Sequence, residues 1–150
     1  MSKETIKMKI TVEKLVMADI DKVWNAWNNP EDIKQWNSAS DDWHTTDSKV
    51  DLREGGKFSS RMEAKDGSAG FDFEGIYTRV EEPKLIEYKL TDDREVKVTF
   101  DERDGGVLVT ESFDAESQNS AEIQRGGWQA ILDNFAKHVE SKGGARSATQ

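Results

Sequence analysis

The sequence of 150 residues has the length of one domain that can enclose a hydrophobic core, and 35% of its residues are hydrophobic. Its 21 basic and 30 acidic residues give a net charge of −9, which argues against binding to nucleic acids or anionic membranes. It contains no cysteine, which excludes disulfides, thiolate zinc sites and Cys–His catalysis. No apolar run reaches the ~18 residues of a membrane span, and no apolar signal segment is visible near the N-terminus, so we expect a cytoplasmic protein.

One strand and two short helices are predicted for the first part of the chain. Apolar and polar residues alternate over residues 5–16, which predicts a half-buried strand. Asp19 is a suitable N-cap for a short helix over residues 20–28. The Asn-Pro pair at 29–30 predicts the start of a second short helix that continues to Trp36, because proline is favoured at the first helical position.

The middle of the chain has the pattern of an antiparallel sheet. Residues 37–48 are predicted to form a loop, followed by a short edge strand over residues 49–54. Five further segments alternate between apolar and polar residues and are predicted to be strands: residues 57–65, 70–80, 84–90, 94–101 and 107–113. With the first strand, these segments predict a meander of six or seven strands.

A long amphipathic helix is predicted to follow the sheet. Asn119 and Glu122 resemble a capping box at its start. One apolar stripe at helical spacing follows: Ile123, Trp128, Ile131, Leu132, Phe135 and Val139. We expect a single domain over residues 1–142, a helix end at Gly143 and a disordered tail over residues 143–150.

The chain contains, in this order, the segments ADIDKVWNAW (18–27), NPE (29–31), GGKF (55–58), FEGIY (73–77), EPKL (82–85) and GGW (126–128). This order resembles the helix-grip fold of the START-like, Bet v-like SRPBCC superfamily, and within it the branch related to the activator of heat-shock-protein-90 ATPase. The resemblance implies an α+β fold. In it, a curved antiparallel sheet of six or seven strands wraps around the long C-terminal helix, and two short helices follow the first strand.

The resemblance implies a shared cavity rather than a shared catalytic motif, and three functions compete. The first is a small-molecule binding module with an internal hydrophobic cavity for an apolar or aromatic ligand, such as a lipid or polyketide, without turnover. The second is a cyclase-like or hydrolase-like enzyme acting in the same cavity. The third is a co-chaperone-like interaction module with a role in the stress response. The expected partner is a hydrophobic small molecule, with a chaperone contact as the alternative, and the chain is expected to be a monomer or weak dimer.

The candidate ligand-binding residues are aromatic residues on the inferred interior faces and their neighbours. From the residues alone, an ordinary core is the simpler interpretation, whereas the resemblance favours a mixture of core and pocket. The candidates are Trp24, Trp27, Trp36, Trp43, His44, Phe58, Met62, Phe71, Phe73, Tyr88, Phe100, Glu111, Phe113, Gly127, Trp128 and Ile131.

Glu111 is the most unusual of these candidates, because it occupies an inferred inward position on a strand. A buried carboxyl needs a partner or has a raised pKa, so Glu111 either contacts a ligand, acts as a general acid or base, or reaches water at a strand end. Gly126 and Gly127 lie inside the long helix, where they either allow a kink or close sheet contact, or leave room for a ligand beside Trp128. We expect the cavity to be reached near the 37–48 loop.

No motif indicates catalysis or a cofactor. The nucleophile elbow G-x-S-x-G and the glycine-rich phosphate-binding motifs are absent from the sequence. Asp41, Asp42, His44 and Asp47 form an acidic cluster around a tryptophan, but their spacing matches no established metal-binding loop. A solvated loop is the favoured interpretation, so we assign no catalytic residue, no metal site and no cofactor.

Overall fold

The computed structural model describes residues 8–142, which form one antiparallel sheet and three helices. The elements in chain order are β1 (Lys9–Val16), α1 (Ile20–Asn28), α2 (Pro30–Trp36), β2 (Trp43–Val50), β3 (Lys57–Ala64), β4 (Gly70–Glu81), β5 (Leu85–Leu90), β6 (Glu95–Arg103), β7 (Gly106–Asp114) and α3 (Ala121–Lys142). The sheet has the order β1-β7-β6-β5-β4-β3-β2 and curls into a half-barrel around the long helix α3. The predicted α+β helix-grip fold is therefore confirmed.

The alternating strands direct one face of the sheet toward the helices. On β7, Val107, Val109 and Phe113 are fully buried, and on β1 so are Ile10 and Val16. Most of the intervening residues of β1 and β6 are charged or polar and meet solvent, as the alternation predicts. The core thus lies between the concave face of the sheet and the helices, where Leu132, Phe135 and Val139 of α3 are also buried.

The two short helices form where the sequence predicts them. The Asn29 side chain accepts hydrogen bonds from the backbone N–H groups of Glu31 at 2.8 Å and Asp32 at 3.3 Å. These bonds satisfy donors that the first turn of α2 would otherwise leave unpaired. The Trp36 indole N–H donates to the Ala26 carbonyl at 3.0 Å, which ties α2 to α1. Asp19 precedes α1 but makes no side-chain cap bond.

The start of α3 differs from the prediction. Its cap is Ser120, whose hydroxyl accepts from the Ile123 backbone N–H at 3.1 Å. Asn119 instead bonds through its backbone and side chain to the Glu116 carboxylate, so the predicted capping box is wrong by one residue. Ile123 was expected in the apolar stripe but is 64% exposed, because it lies in the first turn of α3, away from the sheet. Gln124, the next residue, is buried.

The predicted loop over residues 37–48 is also wrong in part. Residues 43–50 form β2, an edge strand that pairs with β3 and has an irregularity between Thr45 and Asp47. The strand escapes sequence detection because its buried residues are polar: the Thr45 hydroxyl donates to the Asn37 carbonyl at 2.6 Å, and the hydroxyls of Ser48 and Ser60 lie 3.3 Å apart.

Further predictions concern the ends of the chain. The first strand begins at Lys9, and Met8, which lies inside the predicted strand, precedes β1 and is 58% exposed. The predicted start of the first strand at residues 5–7, the helix end at Gly143 and the tail over residues 143–150 lie outside the described residues.

Candidate functional site

A pocket of about 300 Å³ lies between α3, the two short helices and the sheet. Strands β2 to β5 contribute Val50, Phe58, Ser60, Met62, Phe71, Phe73, Tyr77, Ile86 and Tyr88 to its lining. The remaining lining residues come from the two short helices, β7, α3 and the segments that follow α2, precede β6 and follow β7: Trp27, Asn28, Ile33, Trp36, Asn37, Arg94, Glu111, Glu116, Gln124, Trp128 and Ile131. The lining is therefore mainly apolar and aromatic, with a few polar groups.

The structure brings together in this pocket many of the residues that the sequence singled out. These are Trp27, Trp36, Phe58, Met62, Phe71, Phe73, Tyr88, Glu111, Trp128 and Ile131. They come from seven different elements, so the curled sheet and the helices are both needed to assemble them.

Six candidates do not line the pocket. Trp24 and Phe100 pack edge to face in the core, with ring centroids 5.2 Å apart. Phe113 is fully buried beneath Trp128, whose ring stacks on it at 3.8 Å and therefore separates it from the pocket. Trp43 and His44 lie on the edge strand β2, where the Trp43 ring is 5.9 Å from that of Phe71. The sixth residue is Gly127.

Gly127 lies one helical turn from both Gln124 and Ile131, which line the pocket. A Cβ atom added at Gly127 would meet no atom within 4 Å, and the same is true at Gly126. Close contact between these glycines and the sheet is therefore ruled out. Gly126 is exposed, whereas Gly127 is half-buried on the helical face that carries the pocket residues.

The aromatic part of the lining forms a connected set of rings. Phe58 on β3 contacts Tyr77 and Tyr88, with ring centroids 5.2 Å and 4.8 Å apart. Phe73 on β4 lies near Trp128 of α3, with ring centroids 6.3 Å apart. Gly75 permits this arrangement, because a Cβ there would lie 2.8 Å from the Phe58 ring and 2.7 Å from the backbone carbonyl oxygen of Lys89.

Glu111 is a buried carboxyl of the pocket, with 5% of its surface exposed. It lies within β7 between Val12 of β1 and Val98 of β6, so the alternative position at a strand end is wrong. No hydrogen-bond partner for its carboxyl occurs within residues 8–142. Burial alone raises the pKa of Glu111 from 4.5 to about 8, so the carboxyl is mostly neutral at pH 7.

The neighbouring tyrosines are held in their neutral forms. Burial raises the pKa of Tyr88 well above 10, and the nearby Glu111 raises it further. Burial also raises the pKa of Tyr77, with a smaller contribution from Asp51. The hydroxyl groups therefore stay protonated across the physiological range.

Gln124 is a polar residue of the pocket lining whose side chain is hydrogen-bonded within the protein. Its side-chain N–H group donates to the backbone carbonyls of Glu116 at 3.0 Å and Asn119 at 2.8 Å, and its carbonyl accepts from the Glu116 N–H at 2.9 Å. Arg94 pairs with Asp92 at 2.8 Å. Sequence reasoning missed these residues, although Gln124 precedes Trp128 by four positions and helical spacing places both on one face.

Within the described part of the chain, no group of three or more His, Asp or Glu side chains is arranged to hold a metal ion. The acidic residues Asp41, Asp42 and Asp47 are exposed near the start of β2. No helix among residues 8–142 is both long and apolar enough to cross a membrane.

Residues 17–140 match the family of activator of Hsp90 ATPase homolog 1-like proteins. The chain belongs to this family. The family lies in the SRPBCC, Bet v-like superfamily, so the resemblance noted in the sequence is confirmed. No curated protein matches the chain at a significant level.

Solved structures agree with this assignment. An AHSA1-like protein from Aeromonas hydrophila is 52% identical, with a TM-score of 0.85, and the match covers 91% of this chain and 94% of that one. A protein from Cytophaga hutchinsonii is 46% identical, with a TM-score of 0.78 and coverage of 89% and 93%. A protein from Chromobacterium violaceum shares the fold at 20% identity, with a TM-score of 0.80 and coverage of 89% and 98%. The family fold is consistent with a ligand-binding module.

Proposed function

We propose that this protein binds a small apolar or aromatic molecule in the pocket between α3 and the sheet, without turnover. The observation that carries the proposal is a pocket of about 300 Å³ lined by contiguous aromatic rings. This volume is at the lower end of the ~300–1,000 Å³ typical of small-molecule sites, which suits a ligand of a few fused or linked rings or a short lipid. Aromatic side chains suit such a site because they lose little conformational freedom when a ligand binds.

The polar groups of the pocket support the same proposal. Binding sites for small molecules combine apolar walls with a few polar groups that orient the ligand. Here the hydrogen bonds of Gln124 are used within the protein, whereas Glu111 has no partner among the described residues. Glu111 is thus the pocket carboxyl available to orient a bound molecule, and the hydroxyl groups of Tyr77 and Tyr88 also line the pocket.

Thermal unfolding with a panel of polycyclic aromatic, polyketide-like and lipid compounds tests the proposal. A ligand at 100 times its Kd should stabilise the protein by about 2.7 kcal/mol, which raises the Tm by several degrees. Gly127→Leu should remove this shift, because the new side chain projects from the helical face that lines the pocket. Gly126→Leu is the matched control, since Gly126 is exposed and the shift should persist.

No shift with any compound would contradict the proposal. Equal shifts in the two leucine variants would contradict the position of the site.

Catalysis in the same pocket is the second candidate, favoured by the raised pKa of Glu111. A cyclase-like or hydrolase-like reaction would use this carboxyl as a general acid or base. Product analysis with each compound that binds separates the two functions: turnover that Glu111→Gln removes while binding persists would favour the enzyme.

A further inference from the structure

The Glu111 carboxyl is buried in the pocket without a partner from the described residues. Its neighbours in the sheet are Val12 on β1 and Val98 on β6, whose apolar side chains offer no hydrogen bond to the carboxyl. Buried carboxyl groups are normally paired or hydrogen-bonded, because transfer from water into an apolar site is costly. The missing partner is thus expected to come from a bound molecule.

The other charged groups of the pocket are already engaged. Arg94 pairs with Asp92 at 2.8 Å. The Glu116 carboxylate accepts hydrogen bonds from the Asn119 side chain and from the backbone N–H of Gln118, and these bonds lower the pKa of Glu116. Glu116 therefore remains ionised, and Glu111 is the carboxyl that a ligand can satisfy.

The rings beside Glu111 favour a cation as the partner. Tyr88 is close enough for Glu111 to raise its pKa, and Phe58 and Phe73 lie next to Tyr88 at 4.8 Å and 6.4 Å. The faces of aromatic rings attract cations, an effect that grows when water is excluded. The net charge of −9 also attracts cations and repels anions.

We propose, building on the function proposed above, that the ligand is an organic cation: an aromatic or alicyclic skeleton with an ammonium group that pairs with the Glu111 carboxylate. The skeleton fills the aromatic part of the pocket, and the ammonium group lies against Tyr88 and Glu111. The rival ligand is a neutral molecule whose carbonyl accepts a hydrogen bond from protonated Glu111. The two ligands differ in the sign of their pH dependence.

A cation needs the carboxylate form, so its affinity rises with pH. Five titratable groups line the pocket: Tyr77 on β4, Tyr88 on β5, Arg94 before β6, Glu111 on β7 and Glu116 after it. The tyrosines stay neutral, Glu116 stays ionised, and the guanidinium keeps its charge. Glu111 is the group in this set that titrates near pH 8, which predicts a gain in cation affinity of about tenfold between pH 7 and pH 9.

Two probes of equal shape test the proposal: benzyltrimethylammonium, whose charge does not depend on pH, and its uncharged carbon isostere neopentylbenzene. Binding to the full chain is measured at pH 7 and pH 9 by shifts of the backbone amide signals. We expect the cation to bind at least tenfold more tightly than the isostere at pH 9. We also expect its affinity to rise about tenfold from pH 7 to pH 9.

Glu111→Gln should remove both the preference for the cation and its pH dependence, while the isostere still binds. Glu102→Gln on β6 is the matched control, because it removes one exposed carboxylate outside the pocket lining and should leave the preference and the pH dependence in place. The pH profile of the unaltered protein needs no variant, so it stands even if Glu111→Gln fails to fold.

Equal affinities for the two probes, or an affinity for the cation that falls with pH, would overturn the cation proposal and leave the binding function standing. If neither probe binds and no compound of the panel raises the Tm, both proposals fail together.

Discussion

The burial of Glu111 predicts an unusual dependence of stability on pH. Its pKa is about 8 in the folded protein and 4.5 for a solvated glutamate, a difference of 3.5 units. Because the folded pKa is raised, the folded state retains its proton while the unfolded state loses it. The protonated Glu111 carboxyl therefore makes its full contribution to the free energy of unfolding below pH 4.5. This contribution is lost as the pH rises toward 8, by about 1.4 kcal/mol per pH unit and about 5 kcal/mol in total.

Glu111→Gln isolates this contribution, because glutamine has nearly the same shape and does not ionise. The free energy of unfolding is measured by urea denaturation, followed by tryptophan fluorescence, at intervals from pH 4.5 to pH 9. The other carboxyl groups titrate equally in both proteins and cancel in the difference. We expect the stability of the variant relative to the wild type to increase by about 3 kcal/mol between pH 4.5 and pH 7, and to level off above pH 8.

Glu116→Gln provides the control, since its carboxylate is ionised and accepts hydrogen bonds in the folded protein. Because folding lowers the pKa of Glu116, the wild type should become more stable relative to Glu116→Gln as the pH rises from acidic values. This change has the opposite sign to the one expected for Glu111→Gln. A difference between wild type and Glu111→Gln that stays constant with pH would refute the reasoning. Glu111 would then be solvated or paired.

Three further predictions concern stability at neutral pH. Asn29→Ala should cost about 1 kcal/mol because it removes the cap of α2, whereas Asp19→Ala, which removes no cap bond, should be close to neutral in the same denaturation assay. Gly75→Ala should destabilise the protein by about 1–3 kcal/mol, because the new Cβ collides with Phe58 and the Lys89 carbonyl. Gly127→Ala should be neutral or stabilise by up to ~1 kcal/mol, because its Cβ meets no atom within 4 Å. A lower Tm for Gly127→Ala than for Gly75→Ala would contradict the packing described. Trp128→Ala should cost about 3 kcal/mol through the lost stack on Phe113, and an unchanged Tm would contradict that contact.

Sequence patterns predicted the parts of the fold whose buried residues are apolar. The alternation around Val109 and Phe113 correctly placed Glu111 on the inward face of β7. The same rule failed on β2, because the buried residues Thr45 and Ser48 are polar and are satisfied by hydrogen bonds to Asn37 and Ser60, which lie outside the strand. A pattern of hydrophobicity carries no information about such tertiary hydrogen bonds.

The aromatic residues of the pocket were predictable from the sequence, whereas Gln124 was not. Strand alternation and helical spacing placed Phe58, Phe73 and Trp128 toward one interior. These patterns could not show that Phe113 lies outside the pocket lining. Trp128 covers Phe113, and this depends on how the two side chains stack in the folded protein. The role of Gln124 depends on the loop that it bonds, which only the folded chain brings into contact.

The most direct measurement of the central claim, that the pocket binds a small molecule, uses the five tryptophans as internal reporters. The indole N–H signals of the protein are recorded by two-dimensional NMR during a titration with the compound of the panel that raises the Tm most. Trp27, Trp36 and Trp128 line the pocket, whereas Trp24 and Trp43 do not. We expect saturable shifts of the first three signals and little change in the other two. Shifts confined to Trp24 and Trp43, or equal shifts of all five signals, would contradict the claim.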